Sequence, residues 1–168
     1  MNKGGSSGLG KVALVAVLIL ISLSLNPLIR VVFGTDYPVD VVVSGSMRPT
    51  LEVGDIVVVK AVDPSEIRVG DVIVFHDPID GEKLIVHRVV DVVHSGGKYY
   101  FDTKGDANFL KDSQRWGKLV SQDLVEGKVV FVIPKVGLLR IWLDPFVSSG
   151  FSYVIVIVLL LLLFLIWR

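Results

Sequence analysis

The sequence predicts a mainly β domain carried between two membrane-spanning helices. Three observations lead there: an apolar run near each end, short Val- and Ile-rich segments broken by Gly, Pro, Asp and Ser between them, and a charge layout that follows the same partition. Across 168 residues the formal net charge is zero, 52% of residues are hydrophobic and the mean hydropathy is +0.66. All 17 acids fall between Asp36 and Asp144, whereas Lys3, Lys11, Arg30 and Arg168 lie outside, so the middle is negative and the ends are positive. That layout excludes a nucleic-acid binder, which concentrates base on its folded domain. The lack of cysteine excludes a disulfide scaffold and any thiol-based metal or redox centre.

Residues 1–11 read as a short cytoplasmic tail, because Lys3 and Lys11 stand there with no acid nearby. Val12 to Leu25 is apolar apart from Ser22 and Ser24. It reaches bilayer thickness only by continuing through Asn26, Pro27 and Arg30 towards Phe33, so 12–33 is an anchor that Pro27 kinks on leaving the membrane. A cleavable leader is the competing reading. Against it, Asn26-Pro27-Leu28-Ile29-Arg30 offers no small-x-small cleavage pattern.

Residues 34–144 then form one domain on the outer side. Its expected strands are Val39–Val43, Asp55–Lys60, Asp71–Phe75, Lys83–Val93, Lys98–Thr103 and Lys128–Ile133, rich in Val, Ile, Tyr and Phe. Val53-Gly54-Asp55 and Val69-Gly70-Asp71 are turns of similar design leading into strands, and Ser95-Gly96-Gly97 is a hairpin turn. Helical periodicity is weak, so a β barrel or sandwich is expected. The chain ends in a second span, 145–168: Phe146 to Trp167 carries no charge, extends about 33 Å as a helix, and is framed by Tyr153, Trp167 and Arg168 at the interfaces.

Chemistry is sought where polar side chains interrupt strands. Ser44-Gly45-Ser46-Met47-Arg48-Pro49-Thr50 follows three valines; in extended backbone Ser44 and Ser46 share a face and present two hydroxyls side by side. Gly45 leaves room for a substrate backbone, and Pro49 ends ladder pairing. Taken alone, this segment is equally a polar turn. A serine nucleophile needs a base. Of three histidines, His76 and His94 adjoin turns, whereas His87 interrupts the apolar run Leu84-Ile85-Val86-His87-Arg88-Val89-Val90. Alternation sends Arg88 to the opposite face. Lys60 and Lys104 are weaker candidates, each at a strand end beside an acid. A carboxylate to orient the imidazole comes from the third cluster, Thr103-Lys104-Gly105-Asp106-Ala107-Asn108 followed by Asp112; Asp106 and Asp112 both qualify. The acids do not fit an EF-hand loop, and neither a metal nor another cofactor is expected.

Together the clusters resemble the type I signal peptidases, and within them the archaeal and endoplasmic-reticulum branch that uses serine and histidine (S26B-like). The matching text is Ser44-Gly45-Ser46-Met47 with Pro49, Val69-Gly70-Asp71-Val72-Ile73-Val74-Phe75, Ile85-Val86-His87-Arg88-Val89 and Thr103-Lys104-Gly105-Asp106, in the family's order over about residues 39–112. Bacterial members carry a catalytic lysine where His87 stands. The resemblance implies a signal-peptidase-like β catalytic domain flanked by N- and C-terminal transmembrane helices. It implies Ser46 as nucleophile, His87 as base and Asp112 as third member, with Asp106 in support and an oxyanion hole formed by the Ser44 hydroxyl and the Ser46 N–H. Gly45, Met47, Pro49, Arg88 and Gly105 are then supporting motif positions. Implied partners are secretory preproteins with small residues at −1 and −3, membrane lipid and a nearby translocon. The implied location is a cell membrane, or the endoplasmic-reticulum membrane in a eukaryote, with the N-terminus cytoplasmic. Two other readings stay open at this point: a non-catalytic, membrane-anchored β module that binds peptides or assembles a complex, and a relative confined to a narrow set of clients.

Overall fold

The computed structural model describes residues 27–142. The expected tail 1–11, most of the anchor 12–33 and the span 145–168 lie outside these residues; of the anchor, 27–33 is helical. Among the described residues no helix is long and apolar enough to cross a membrane.

The strands are β1 (Val39–Val41), β2 (Ile56–Lys60), β3 (Val72–His76), β4 (Leu84–Ser95), β5 (Lys98–Lys104), β6 (Val120–Ser121) and β7 (Val125–Ile133). They form one antiparallel seven-stranded sheet in the order β1-β2-β7-β3-β4-β5-β6. The last strand inserts at the centre, between β2 and β3, so the chain closes its sheet only after the site-bearing loops have been laid down. Alternation on β3 sorts two cores. Val74 packs with Val42, Met47, Leu51, Val57 and Val59, whereas Ile73 and Phe75 pack with Ile67, Val89, Phe101 and Val120. With apolar residues on both faces, the central strands read as near-continuous hydrophobic runs, which is why they were visible in the sequence.

The two Val-Gly-Asp turns share one construction. Asp55 Oδ2 accepts from the Glu52 N–H at 2.9 Å and Asp71 Oδ2 from the Arg68 N–H at 3.0 Å. Gly54 and Gly70 hold φ of 91° and 100°, a region that side chains disfavour. Each turn then delivers its strand into the sheet, with Gly54 N–H bonded to Val42 O and Gly70 N–H to Val89 O.

Differences from the expected strands have local causes. The first strand stops at Val41, because Val42 N–H turns to the carbonyl of Asp55 and the chain leaves for the serine turn. β7 starts at Val125 and absorbs register shifts opposite both β2 and β3. β6 and the helix Asp112–Trp116 were not expected; two and five residues are too few to show a period.

Candidate active site

His87 sits in the first third of β4, opposite Ile73 of β3, with 5% of its surface exposed. Its ring lies edge-on to Phe75, centroids 6.4 Å apart. Nδ1 meets Asp112 Oδ2 at 2.6 Å and Nε2 meets Ser46 Oγ at 3.1 Å. Asp112 opens the short helix Asp112–Trp116, is 2% exposed, and also accepts from Thr103 Oγ1 at 2.7 Å. An oxygen that accepts from a threonine hydroxyl and faces an imidazole nitrogen is served best as a carboxylate. The proton of a neutral imidazole is therefore assigned to Nδ1, which leaves Nε2 as the acceptor towards the Ser46 hydroxyl.

Ser46 is brought here by a turn, not by extended backbone. Arg48 N–H bonds to Gly45 O and Leu51 N–H to Met47 O, and the Arg48–Pro49 peptide is cis. The hydroxyls of Ser44 and Ser46 are nonetheless 3.2 Å apart. Met47, 1% exposed, drops into the core and pins the turn from below, while Arg48 points away to Glu52 at 2.8 Å. From the other side, Ala107 N–H bonds to the Ser46 carbonyl at 2.8 Å. Gly105 comes so close that a Cβ there would lie 2.6 Å from Ser46 O and 2.9 Å from His87 Nε2. Gly105 is therefore a contact glycine, seating β5's continuation against the Ser46 backbone and the His87 ring.

Arg88, on the opposite face of β4, grips Asp106 with Nε at 2.8 Å and Nη2 at 2.7 Å, and Nη1 reaches the Gly70 carbonyl at 2.7 Å. Thr50 Oγ1 donates to Asp106 Oδ2 at 2.5 Å. The Arg88 bond, aided by Thr50 and opposed by burial, holds the Asp106 carboxyl below its ordinary 3.8, while the same bond raises Arg88. Asp106 is thus a strut joining the serine turn, β4 and the 105–108 loop, and Asp112 is the acid against the imidazole.

A cleft of about 420 Å³ opens over Ser44, Ser46 and His87. Val41–Val43, Leu84–Val86, Asn108, Arg115 and Trp116 also line it. Lys60 and Lys104 do not line it. His76 instead bridges Gly81 O at 2.9 Å and Glu126 Oε1 at 2.8 Å, and His94 stacks on Tyr99 with centroids 4.6 Å apart. Among the described residues no group of three or more His, Asp or Glu is arranged to hold a metal ion. Arg115 and Trp116 carry no signal in the sequence, and Asn108 and Thr103 enter there only as members of the third cluster; what marks Thr103 is a hydroxyl at a wholly buried strand position.

A family model described as "Signal peptidase, peptidase S26" matches residues 10–93. The chain is 33% identical over 132 residues to "Signal peptidase complex catalytic subunit sec11" of Dictyostelium discoideum, covering 74% of this chain and 70% of that protein. It is 38% identical over 121 residues to "Signal peptidase complex catalytic subunit SEC11" of Clavispora lusitaniae, covering 68% and 70%. To "Signal peptidase I W" of Bacillus subtilis it is 41% identical over 83 residues, 49% of this chain and 42% of that protein. Likeness of this extent and depth makes the chain a member of the type I signal peptidases, serine peptidases of family S26.

Proposed function

We propose that this chain removes signal peptides from exported preproteins by acyl-enzyme chemistry, with Ser46 as nucleophile, His87 as general base and Asp112 as the group that orients and charge-balances the imidazole. The observation that carries the reading is the unbroken chain of contacts from Ser46 Oγ to His87 at 3.1 Å and on to Asp112 at 2.6 Å, at the mouth of a cleft. Ser46 Oγ attacks the scissile carbonyl as its proton passes to His87 Nε2. The imidazolium formed beside the Asp112 carboxylate is stabilised, then gives that proton to the leaving amine of the mature chain. Water, deprotonated by the same nitrogen, attacks the acyl-enzyme, and the returned proton regenerates Ser46 as the signal peptide leaves.

The tetrahedral oxyanion falls to the Ser46 N–H and the Ser44 hydroxyl, which lies 3.2 Å from Ser46 Oγ. The cleft lining includes two stretches of strand-like backbone, Val41–Val43 and Leu84–Val86. They suit an extended peptide added through main-chain bonds, with small side chains at −1 and −3. The apolar segments 12–33 and 145–168 hold the enzyme in the membrane that delivers its substrate, with residues 34–144 on the outer side. Confinement to that surface raises the effective concentration of the two partners.

The test is incubation of the purified full chain in detergent with a secretory precursor, beside Ser46→Ala, His87→Ala, Asp112→Ala and Asp106→Ala. Loss of cleavage in the first three with retained folding supports the reading; full turnover by Ser46→Ala or His87→Ala refutes it.

A further inference from the structure

Thr103 takes no part in the steps above, yet it is a wholly buried hydroxyl beside them. It lies on β5 opposite Val89 of β4, in a neighbourhood that includes the apolar core residues Phe101 and Val89. Valine fills such a strand position equally well, so a hydroxyl here carries a desolvation cost without a packing return. One bond offsets it: Oγ1 donates to Asp112 Oδ2 at 2.7 Å, the same oxygen that meets His87 Nδ1 at 2.6 Å. Register explains the convergence. Lys104 pairs with Arg88 on one face, which leaves Thr103 and Gly105 on the face that carries His87.

Two donors on one oxygen fix the carboxylate in two directions, and a hydrogen bond to the charged form favours that form. Resting on the Ser46–His87–Asp112 reading, we propose that Thr103 is a positioning residue for this reaction: its hydroxyl fixes the Asp112 carboxylate in place against His87 Nδ1, and through it sets the His87 tautomer that faces Ser46. Thr103 touches no substrate. The other charged groups around the pair are Asp106 bonded to Arg88, Asp102 paired with Lys111 at 3.2 Å where the short helix begins, and Arg115 in the cleft. All remain when the hydroxyl alone is removed.

The experiment compares Thr103→Val with Thr103→Ser in the full chain in detergent, measuring kcat and KM for a precursor peptide across pH. Thr103→Val is expected to lower kcat about 10-fold to 100-fold, the range for losing a bond to a charged group, with KM unchanged. The acid limb of its kcat profile moves to higher pH, because a less stabilised carboxylate holds the imidazolium proton more firmly. Thr103→Ser restores most of both. Partial misfolding of the valine variant would scale the amplitude without moving the limb, so the limb decides. Wild-type kcat and limb in Thr103→Val, or a serine variant as impaired as the valine one, overturns the proposal. His87→Ala and Asp112→Asn run alongside: if they too keep turnover, the Ser46–His87–Asp112 reading has failed; if they are inactive while Thr103→Val is normal, only the role of Thr103 has.

Discussion

Replacing Gly105 with alanine tests the seat beneath Ser46. Gly105 is not one of the glycines at positive φ, so the backbone tolerates a side chain and the obstacle is contact alone. The added methyl would lie 2.6 Å from Ser46 O, 2.7 Å from Asn108 Nδ2 and 2.9 Å from His87 Nε2, where Cβ contacts ordinarily begin near 3.4 Å. Relief requires shifts of about 0.8 Å at the first and about 0.5 Å at the last. The Ser46 carbonyl is already tied to Ala107 N–H at 2.8 Å, so its retreat strains that bond. A 0.5 Å displacement of His87 directly away from Ser46 would stretch the 3.1 Å contact to Ser46 Oγ to about 3.6 Å, no longer a hydrogen bond. With about 100-fold lost per 1 Å of misplacement, half that distance lowers kcat by about 10-fold. Overpacking costs about 1–3 kcal/mol, offset in part by about 0.4–1 kcal/mol from a stiffer unfolded chain. Precursor cleavage at saturating substrate, with thermal unfolding of the same sample, reads both. A variant with wild-type kcat and a raised Tm would refute the reasoning, since that is what an unobstructed Gly→Ala change does.

Asp106→Asn should destabilise the folded domain in a pH-dependent way. The folded carboxyl lies below 3.8, so its stabilisation is fully present above that value and is lost as pH falls through the lower folded one. Denaturant unfolding should show a gap between wild type and variant that is constant above about pH 5 and closes towards about pH 2; an equal gap at both ends contradicts the strut role of Asp106 with Arg88. Ser44→Ala should lower kcat by about 100-fold to 1,000-fold with little change in KM, the cost of one oxyanion donor. An unchanged kcat would remove Ser44 from the oxyanion hole.

The central strands were legible because both faces of the sheet are buried, leaving runs such as Val72-Ile73-Val74-Phe75 with no polar interruption to misread. The paired Val-Gly-Asp turns were legible for a different reason: Gly supplies a positive φ and Asp accepts the N–H three residues before it, a local construction that the residue types spell out. β6 and the helix Asp112–Trp116 were hidden, being held by tertiary pairing with β5 and not by a period of their own. In the site, His87 stood out as a polar residue inside an apolar strand. Residue types alone left Asp106 and Asp112 equivalent. Their separation depends on which face of β4 each meets, with Arg88 on one side and His87 on the other, and that follows from sheet register. The closeness of Ser44 and Ser46 comes from a turn stitched by backbone bonds, not from the strand alternation that suggested it.

Whether Ser46 and His87 act as one chemical unit is settled most directly by a double-mutant cycle on precursor cleavage: wild type, Ser46→Ala, His87→Ala and both together, with folding checked in each. The expected result is that either change alone removes about 10⁴-fold or more of the turnover and the second adds almost nothing, as for groups that share a proton in one transition state. Losses that multiply independently, or substantial cleavage surviving either single change, would contradict it.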